Sequence, residues 1–348
     1  MHRKGLIATA LLTLSSSAIA HHTTLGFFDP DTTIEIEGVL KSLSMRNPHV
    51  RFVVTVTGPD GVAVDWDVET SALSVLRSRG IARDFMSVGD RIRVAGAASR
   101  RDEPEMNARN ILLEDGTEVV VLLSAEPYFT AERSEFLEPV FSESVEAEAR
   151  RTADGIFRVW STVMGDPASF PTFRGGYPLT EEAERASAGW EPAAEQLLTC
   201  WEKGMPHLMI TPIPIEFERM GDDIRLRFEE DDTERLIHMS AGVAPPDGYS
   251  LLGYSRGRWE GNTLVVETTN IDAPRFDDEG VSQSREISLV ERYTVSEDQS
   301  RLDYRVTITD PVTFTQPFDL TRYWVWRPEI ALASWDCGES QDLASALP

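Results

Sequence analysis

From Pro206 onward the chain alternates apolar and polar residues in short runs, and each run is cut by Gly, Asp or Asn. Ile215-Glu-Phe-Glu-Arg-Met220 and Ile224-Arg-Leu-Arg-Phe228 are divided by Gly221-Asp222-Asp223, and Asp231-Asp232 precedes the next run, Arg235-Leu-Ile-His-Met-Ser240. Two more runs flank Gly261-Asn262, two flank Glu297-Asp298, and Arg322-Tyr-Trp-Val-Trp326 forms another. Period-two alternation places successive side chains on opposite faces of a strand, and Gly-Asn or Asp-Asp pairs supply the tight turns of hairpins. Seven or eight such strands with short connections predict a closed antiparallel barrel or sandwich, lipocalin-like, over residues 206–348. Its aromatics, including Trp259, Tyr293, Trp324 and Trp326, are expected in the core.

Residues 21–124 repeat the pattern with one interruption. Three strands are expected in Ile34–Met45, Val50–Gly58 and Val62–Glu69, the latter two joined by Pro59-Asp60-Gly61. A short helix follows in Ser71–Gly80, with Ser71 as N-cap and Gly80 as stop, and then two strands in Asp90–Ala98 and Met106–Glu114. Three strands, a helix and two strands is the order of the five-stranded OB barrel. The fold class is therefore all-β, an OB-like barrel followed by an antiparallel barrel or sandwich, with helical linker segments. Residues 125–205 read as a connecting region of charge-rich helical stretches around one short strand and a Pro/Gly-punctuated segment that wraps a surface.

The chain opens with Arg3 and Lys4, an apolar run from Gly5 to Leu14, and the small residues Ala18-Ile-Ala20. This is the pattern of a secretory signal over residues 1–20, and its apolar run is too short for an anchor. No later segment reaches the roughly 18 apolar residues that a membrane span needs. A periplasmic or extracellular location is expected. There a disulfide between Cys200 and Cys337 is chemically permitted, while the absence of any CxxC argues against a dithiol or cysteine-zinc site. With 33 Lys+Arg against 58 Asp+Glu, the chain repels phosphate backbones, so the nucleic-acid role of many OB domains loses its physical basis.

Cleavage after Ala20 would leave His21 as the first residue. Its α-amine and imidazole Nδ1 together close a chelate ring on one metal ion. One further imidazole completes a three-nitrogen site suited to copper, because amine and imidazole donors favour the top of the Irving–Williams series. His49 is the preferred third donor: it follows Pro48 in the turn Met45-Arg-Asn-Pro-His-Val50, where the fixed proline φ presents the next side chain rigidly. His22 would ligate or orient. The bland alternative is that the histidines near the cut are incidental and His49 merely hydrogen-bonds a carbonyl in its turn. Cleavage after Ala18 would instead put His21 third, in a square-planar chelate that binds metal without catalysing much.

The segment His21–Gly116, with HHTTLGFFDP, GVLKSLSMRNPHV, WDVE and VGDRIRVAGAASR, resembles a widespread family of secreted proteins of unknown function. Its members typically begin the mature chain with His-His and carry an Asn-Pro-His turn. The resemblance implies that His21, His22 and His49 are family features. The second half, with RLIHMS, GYSRGRWEGNTLVVETTNI, LVERYTV and WDCGES, resembles another uncharacterised secreted domain with a GxSxGxWEGDTLVVxT signature, in which Asn262 here replaces the usual Asp.

Arg258, Glu260, Glu291, Arg292 and Asp310 form a candidate polar cluster in that half, to be weighed against a plain hairpin turn at Trp259-Glu-Gly-Asn262 and an ion pair on a strand face. Ser255 stands in a GxSxG, but the following residues are strand-like rather than helical, which argues against a nucleophile elbow. His207 and His238 read as structural. Three functions are therefore expected to compete: copper handling or copper-dependent oxidation at the N-terminal site; a non-enzymatic carrier or envelope protein holding a hydrophobic small molecule in the second barrel; and a hydrolase using the carboxylates between Glu260 and Asp310.

Overall fold

The computed structural model describes residues 28–122, 125–129, 143–163, 166–170, 176–190, 202–240, 242, 244–277, 280–327 and 330–335. His21, His22, Cys200 and Cys337, and with them the expected chelate and disulfide, lie outside the described residues.

The first domain is built on β1 (Phe28–Ser44), β2 (Arg51–Thr57), β3 (Ala63–Glu69), α1 (Leu73–Ser78), β4 (Arg91–Ser99) and β5 (Glu105–Leu112), with β6 (Glu118–Val120) added outside β5. The sheet runs β3-β2-β1-β4-β5-β6, and a parallel pairing of β3 with β5 joins Asp67 to Glu105 and Glu69 to Asn107. That pairing closes β1-β2-β3-β5-β4 into the expected five-stranded barrel, with α1 between the third and fourth strands. Its interior holds Leu40, Val50, Phe52, Val54, Val68, Leu76, Ile92, Val94, Met106 and Ile111. Gly96 sits where two strands cross closely, since a Cβ there would lie 2.2 Å from the Asn107 carbonyl oxygen. Only a residue without a side chain permits that approach.

Helix α1 is shorter than the sequence suggests, and its expected cap is absent. Ala72 takes the N-cap position without a side-chain bond, while the Ser71 hydroxyl donates to the Val121 carbonyl. The N–H of Leu73 is instead taken by the side-chain oxygen of Asn47, at 3.0 Å, from the turn between β1 and β2. An N-terminal helix N–H must find an acceptor, and here it comes from a distant turn.

The second domain is a closed barrel of nine strands in the order β10-β11-β12-β13-β14-β15-β7-β8-β9. They are β7 (Val159–Ser161), β8 (Ile215–Met220), β9 (Asp223–Phe228), β10 (Glu234–His238), β11 (Tyr254–Glu260), β12 (Thr263–Thr269), β13 (Ser288–Val295), β14 (Arg301–Thr309) and β15 (Phe318–Trp326). All neighbouring pairs are antiparallel except β10 with β11. The short strand β7, expected within a wrapping segment, is instead a member of the barrel: Trp160 pairs with Trp326 on one side and Ile215 on the other. Trp160, Phe217, Phe228, Leu264, Tyr293, Leu302, Tyr304 and Trp324 are buried at its heart. Trp259 departs from the core expectation. It is 45% exposed, and with Phe157, Arg219 and Met239 it lines a surface cleft of about 550 Å³. At the end of its strand the alternation no longer has a lumen to face.

Among the described residues no helix is long and apolar enough to cross a membrane.

Candidate functional site at the Asn-Pro-His turn

The turn that carries His49 is locked to the second domain. Asn47 is 1% exposed, and the Asn47–Pro48 peptide bond is cis. While its side-chain oxygen takes the Leu73 N–H, its Nδ2 donates to Glu229 Oε1 at 2.9 Å. Glu229 Oε2 takes the backbone N–H of Ala333 at 2.7 Å, and Asn47 forms a parallel bridge with Trp335. One buried carboxylate of the second barrel thus holds both the turn and the C-terminal segment. Burial pushes the Glu229 carboxyl above its usual range, although its hydrogen bonds from Ala333 and Asn47 pull the other way.

His49 projects beside the end of β3. Its Nδ1 lies 3.1 Å from the Thr70 carbonyl oxygen and 3.6 Å from Glu69 Oε1. A carbonyl can only accept, so Nδ1 carries the proton. In the neutral ring that leaves the lone pair on Nε2, which has no hydrogen bond among the described residues. The bland reading expected a carbonyl within the histidine's own turn; the carbonyl found belongs to Thr70, beyond β3, and this contact leaves Nε2 as a donor atom for a metal. Ligating histidines usually tie their other ring N–H to a carbonyl or carboxylate in this way. The side chain is 24% exposed, so Nε2 is not sealed in the core.

Carboxylates surround this end of the barrel. Glu69 is almost fully buried, and Asp67 pairs with Arg51 at 2.7 Å; burial raises the Asp67 carboxyl more than Arg51 lowers it. Across the domain contact, Glu230 pairs with Lys203 at 2.7 Å. Asp231 and Asp232 follow with φ of 55° and 48°, a left-handed conformation that Asp tolerates better than most residues. Burial, reinforced by Glu230, pushes Asp231 up to about 6. Among the described residues no three His, Cys, Asp or Glu side chains converge as a metal site, so His49 is the single ligand of the expected set whose surroundings are described.

The candidate polar cluster of the second barrel divides into three places. Arg258, Glu260 and Arg292 meet on the outer surface, with Glu260 bridging Arg258 at 3.0 Å and Arg292 at 2.8 Å. Glu291 points the other way, because neighbours on a strand face opposite sides. In the lumen it pairs with Arg235 and accepts hydrogen bonds from Tyr293 Oη at 2.7 Å and Tyr304 Oη at 3.0 Å. Asp310 sits in the turn after β14 and receives the N–H groups of Ser284, Val312 and Thr313. These carboxylates do not face one another, so they do not make an acid/base pair.

Ser255 in the GxSxG lies on β11, buried, with its Oγ 2.9 Å from Arg235 Nε. It belongs to the same buried network as Thr268, which takes Arg235 Nη2 at 2.6 Å. His238 is held by Asp223 at 3.2 Å and stacks on Tyr254. His207 is fully buried in a short 3-10 segment, His207–Ile210. Sequence reasoning passed over Arg235 and Arg322, the two most deeply buried arginines among the described residues of this barrel. The signal was available, since each stands at an inward position of an alternating strand.

Residues 9–106 match a family of unknown function, DUF6152. The match takes in the latter part of the expected export signal, both N-terminal histidines, the Asn-Pro-His turn and the barrel as far as the start of β5, and none of the second domain. No curated protein is similar enough to the chain to count as a match.

Proposed function

We propose that this chain is an exported copper-binding protein whose site forms at the Asn-Pro-His turn. His49 would give its Nε2, and His21 its α-amine and Nδ1 once cleavage has freed them. His22 would ligate or orient. The observation that carries this reading is the His49–Thr70 hydrogen bond, which keeps the proton on Nδ1 and the lone pair on Nε2. Nitrogen donors of this kind suit copper above other divalent ions of the first row. Glu69, close to Nδ1, would steady the added positive charge through the ring.

Copper handling is the preferred role, since oxidation would need an open coordination position and a substrate surface. The joining of this domain to a second barrel, clasped through Asn47 and Glu229, suits a protein in which the larger domain holds the smaller one's metal turn in place.

The test is intact-mass analysis of the exported protein together with its copper content. The expected result is a chain beginning at His21 with one tightly bound Cu(II). Adding one residue before His21 should abolish tight binding, and His49→Gln should weaken it while leaving the fold intact. Equal copper affinity in all three proteins would overturn the proposal.

A further inference from the structure

The interior of the second barrel holds two arginines in contrasting states. Arg235 is answered by Glu291, with its remaining donors on Ser255 and Thr268. Arg322 on β15 is 3% exposed, and no carboxylate among the described residues pairs with it. Its Nη1 donates to the carbonyls of Met209 at 2.8 Å and Thr211 at 3.0 Å, and its Nη2 to the Thr162 hydroxyl at 2.7 Å. A guanidinium has five N–H groups; its Nε–H is buried here and meets no acceptor among the described residues.

Two residues along the same face of the strand, Trp324 is 1% exposed, and its buried indole Nε1–H likewise meets no acceptor among the described residues. The guanidinium carbon lies 4.3 Å from the Trp324 ring centre, so the side chains that carry the two unanswered donors pack on each other at one locus.

A buried water could accept these hydrogen bonds but would leave the charge. An uncompensated ion in a protein interior costs several kcal/mol, and neither carbonyl dipoles nor an aromatic face replaces a full counter-charge. Burial lowers the Arg322 side chain to about 9, which still leaves it protonated at neutral pH. The locus therefore lacks both an acceptor and a negative charge, and a small anion supplies the two together.

We propose that the second barrel binds a small monovalent anion, a halide or the carboxylate of a formate-sized ligand, at Arg322 Nε with Trp324 Nε1 as second donor. The site is independent of the Asn-Pro-His turn and of copper.

The experiment is thermal unfolding of the full chain in sodium isethionate, with chloride, bromide or formate replacing isethionate at constant ionic strength. Wild type should show a saturable rise in Tm with the halides, with formate, or with both, and the pattern identifies the anion class. Trp324→Phe keeps the ring but removes the donor, and should weaken the apparent anion Kd roughly tenfold. Arg322→Met should lose the anion dependence. Should that variant not fold, Trp324→Phe and a bromide anomalous peak within hydrogen-bond reach of Arg322 Nε decide the matter. Unfolding of wild type that ignores anion identity, or a Trp324→Phe response equal to wild type, would overturn the proposal.

Discussion

Asn47 and Glu229 stand 182 positions apart in the chain, and their side chains meet at 2.9 Å in a buried contact that joins two barrels. The same asparagine satisfies the first N–H of helix α1, and the same glutamate holds the backbone at Ala333. Three hydrogen bonds therefore depend on two side chains. Asn47→Ala leaves the Leu73 N–H and one Glu229 oxygen unpaired in the interior, at a cost of about 1–3 kcal/mol. Urea denaturation should register that loss; an unchanged midpoint would mean that this bond contributes nothing to the coupling of the domains.

Asp231 makes the molecule less stable as the solution turns neutral. Its ordinary value is 3.8, and the folded protein holds the proton up to about 6, so below 3.8 both states are protonated and the group is without effect. Between those values only the folded state keeps the proton, and stability falls as pH rises, with the whole penalty present above 6. Glu229, raised by the same burial, adds in the same direction. Asp231→Asn, which also suits a left-handed φ, should gain on the order of 2 kcal/mol near pH 7.5 and nothing near pH 3.5. Guanidinium melts at the two pH values check this, and an equal gain at both would contradict it.

The Arg235–Glu291 pair is best probed from both ends. Glu291→Gln strands a buried guanidinium and should cost about 3–5 kcal/mol, as should Arg235→Met for the opposite charge. The double variant should lose much less than the sum, because the desolvation of both charges disappears together. Simple additivity in a denaturant double-mutant cycle would show that the two residues do not interact.

On the outer surface the expectation reverses. Glu260 is fully exposed and bridges arginines in water, where an ion pair contributes little. Glu260→Gln should leave the thermal midpoint at the wild-type value. A marked drop would mean that the Arg258–Glu260–Arg292 arrangement does more than decorate a hairpin.

The strands were legible in the sequence because a lumen imposes its period on every strand that lines it, and turn residues such as Gly261-Asn262 mark where strands reverse. The first barrel could be read to its topology, since the helix falls between the third and fourth strands. Other features were not legible. The short strand at Val159–Ser161 was expected, but three residues are too few to show which sheet they join, and the Asn47–Glu229 contact depends on how two domains meet. Glu291 and Arg292 look like one cluster in a line of text, yet alternation sends them to opposite sides of a wall. His49 was picked out by its proline turn, while its tautomer required the position of the Thr70 carbonyl.

The smallest strand has the widest reach. Val159–Ser161 is the stave that seats β15 against β8, and it comes from well upstream of the other eight. A chain shortened to begin at residue 206 would keep eight staves and lose the hoop. Backbone donors and acceptors along two strands would be laid open to any other edge in solution. Such a fragment would associate through that seam, which makes the region between the two barrels part of the vessel it was expected only to tether.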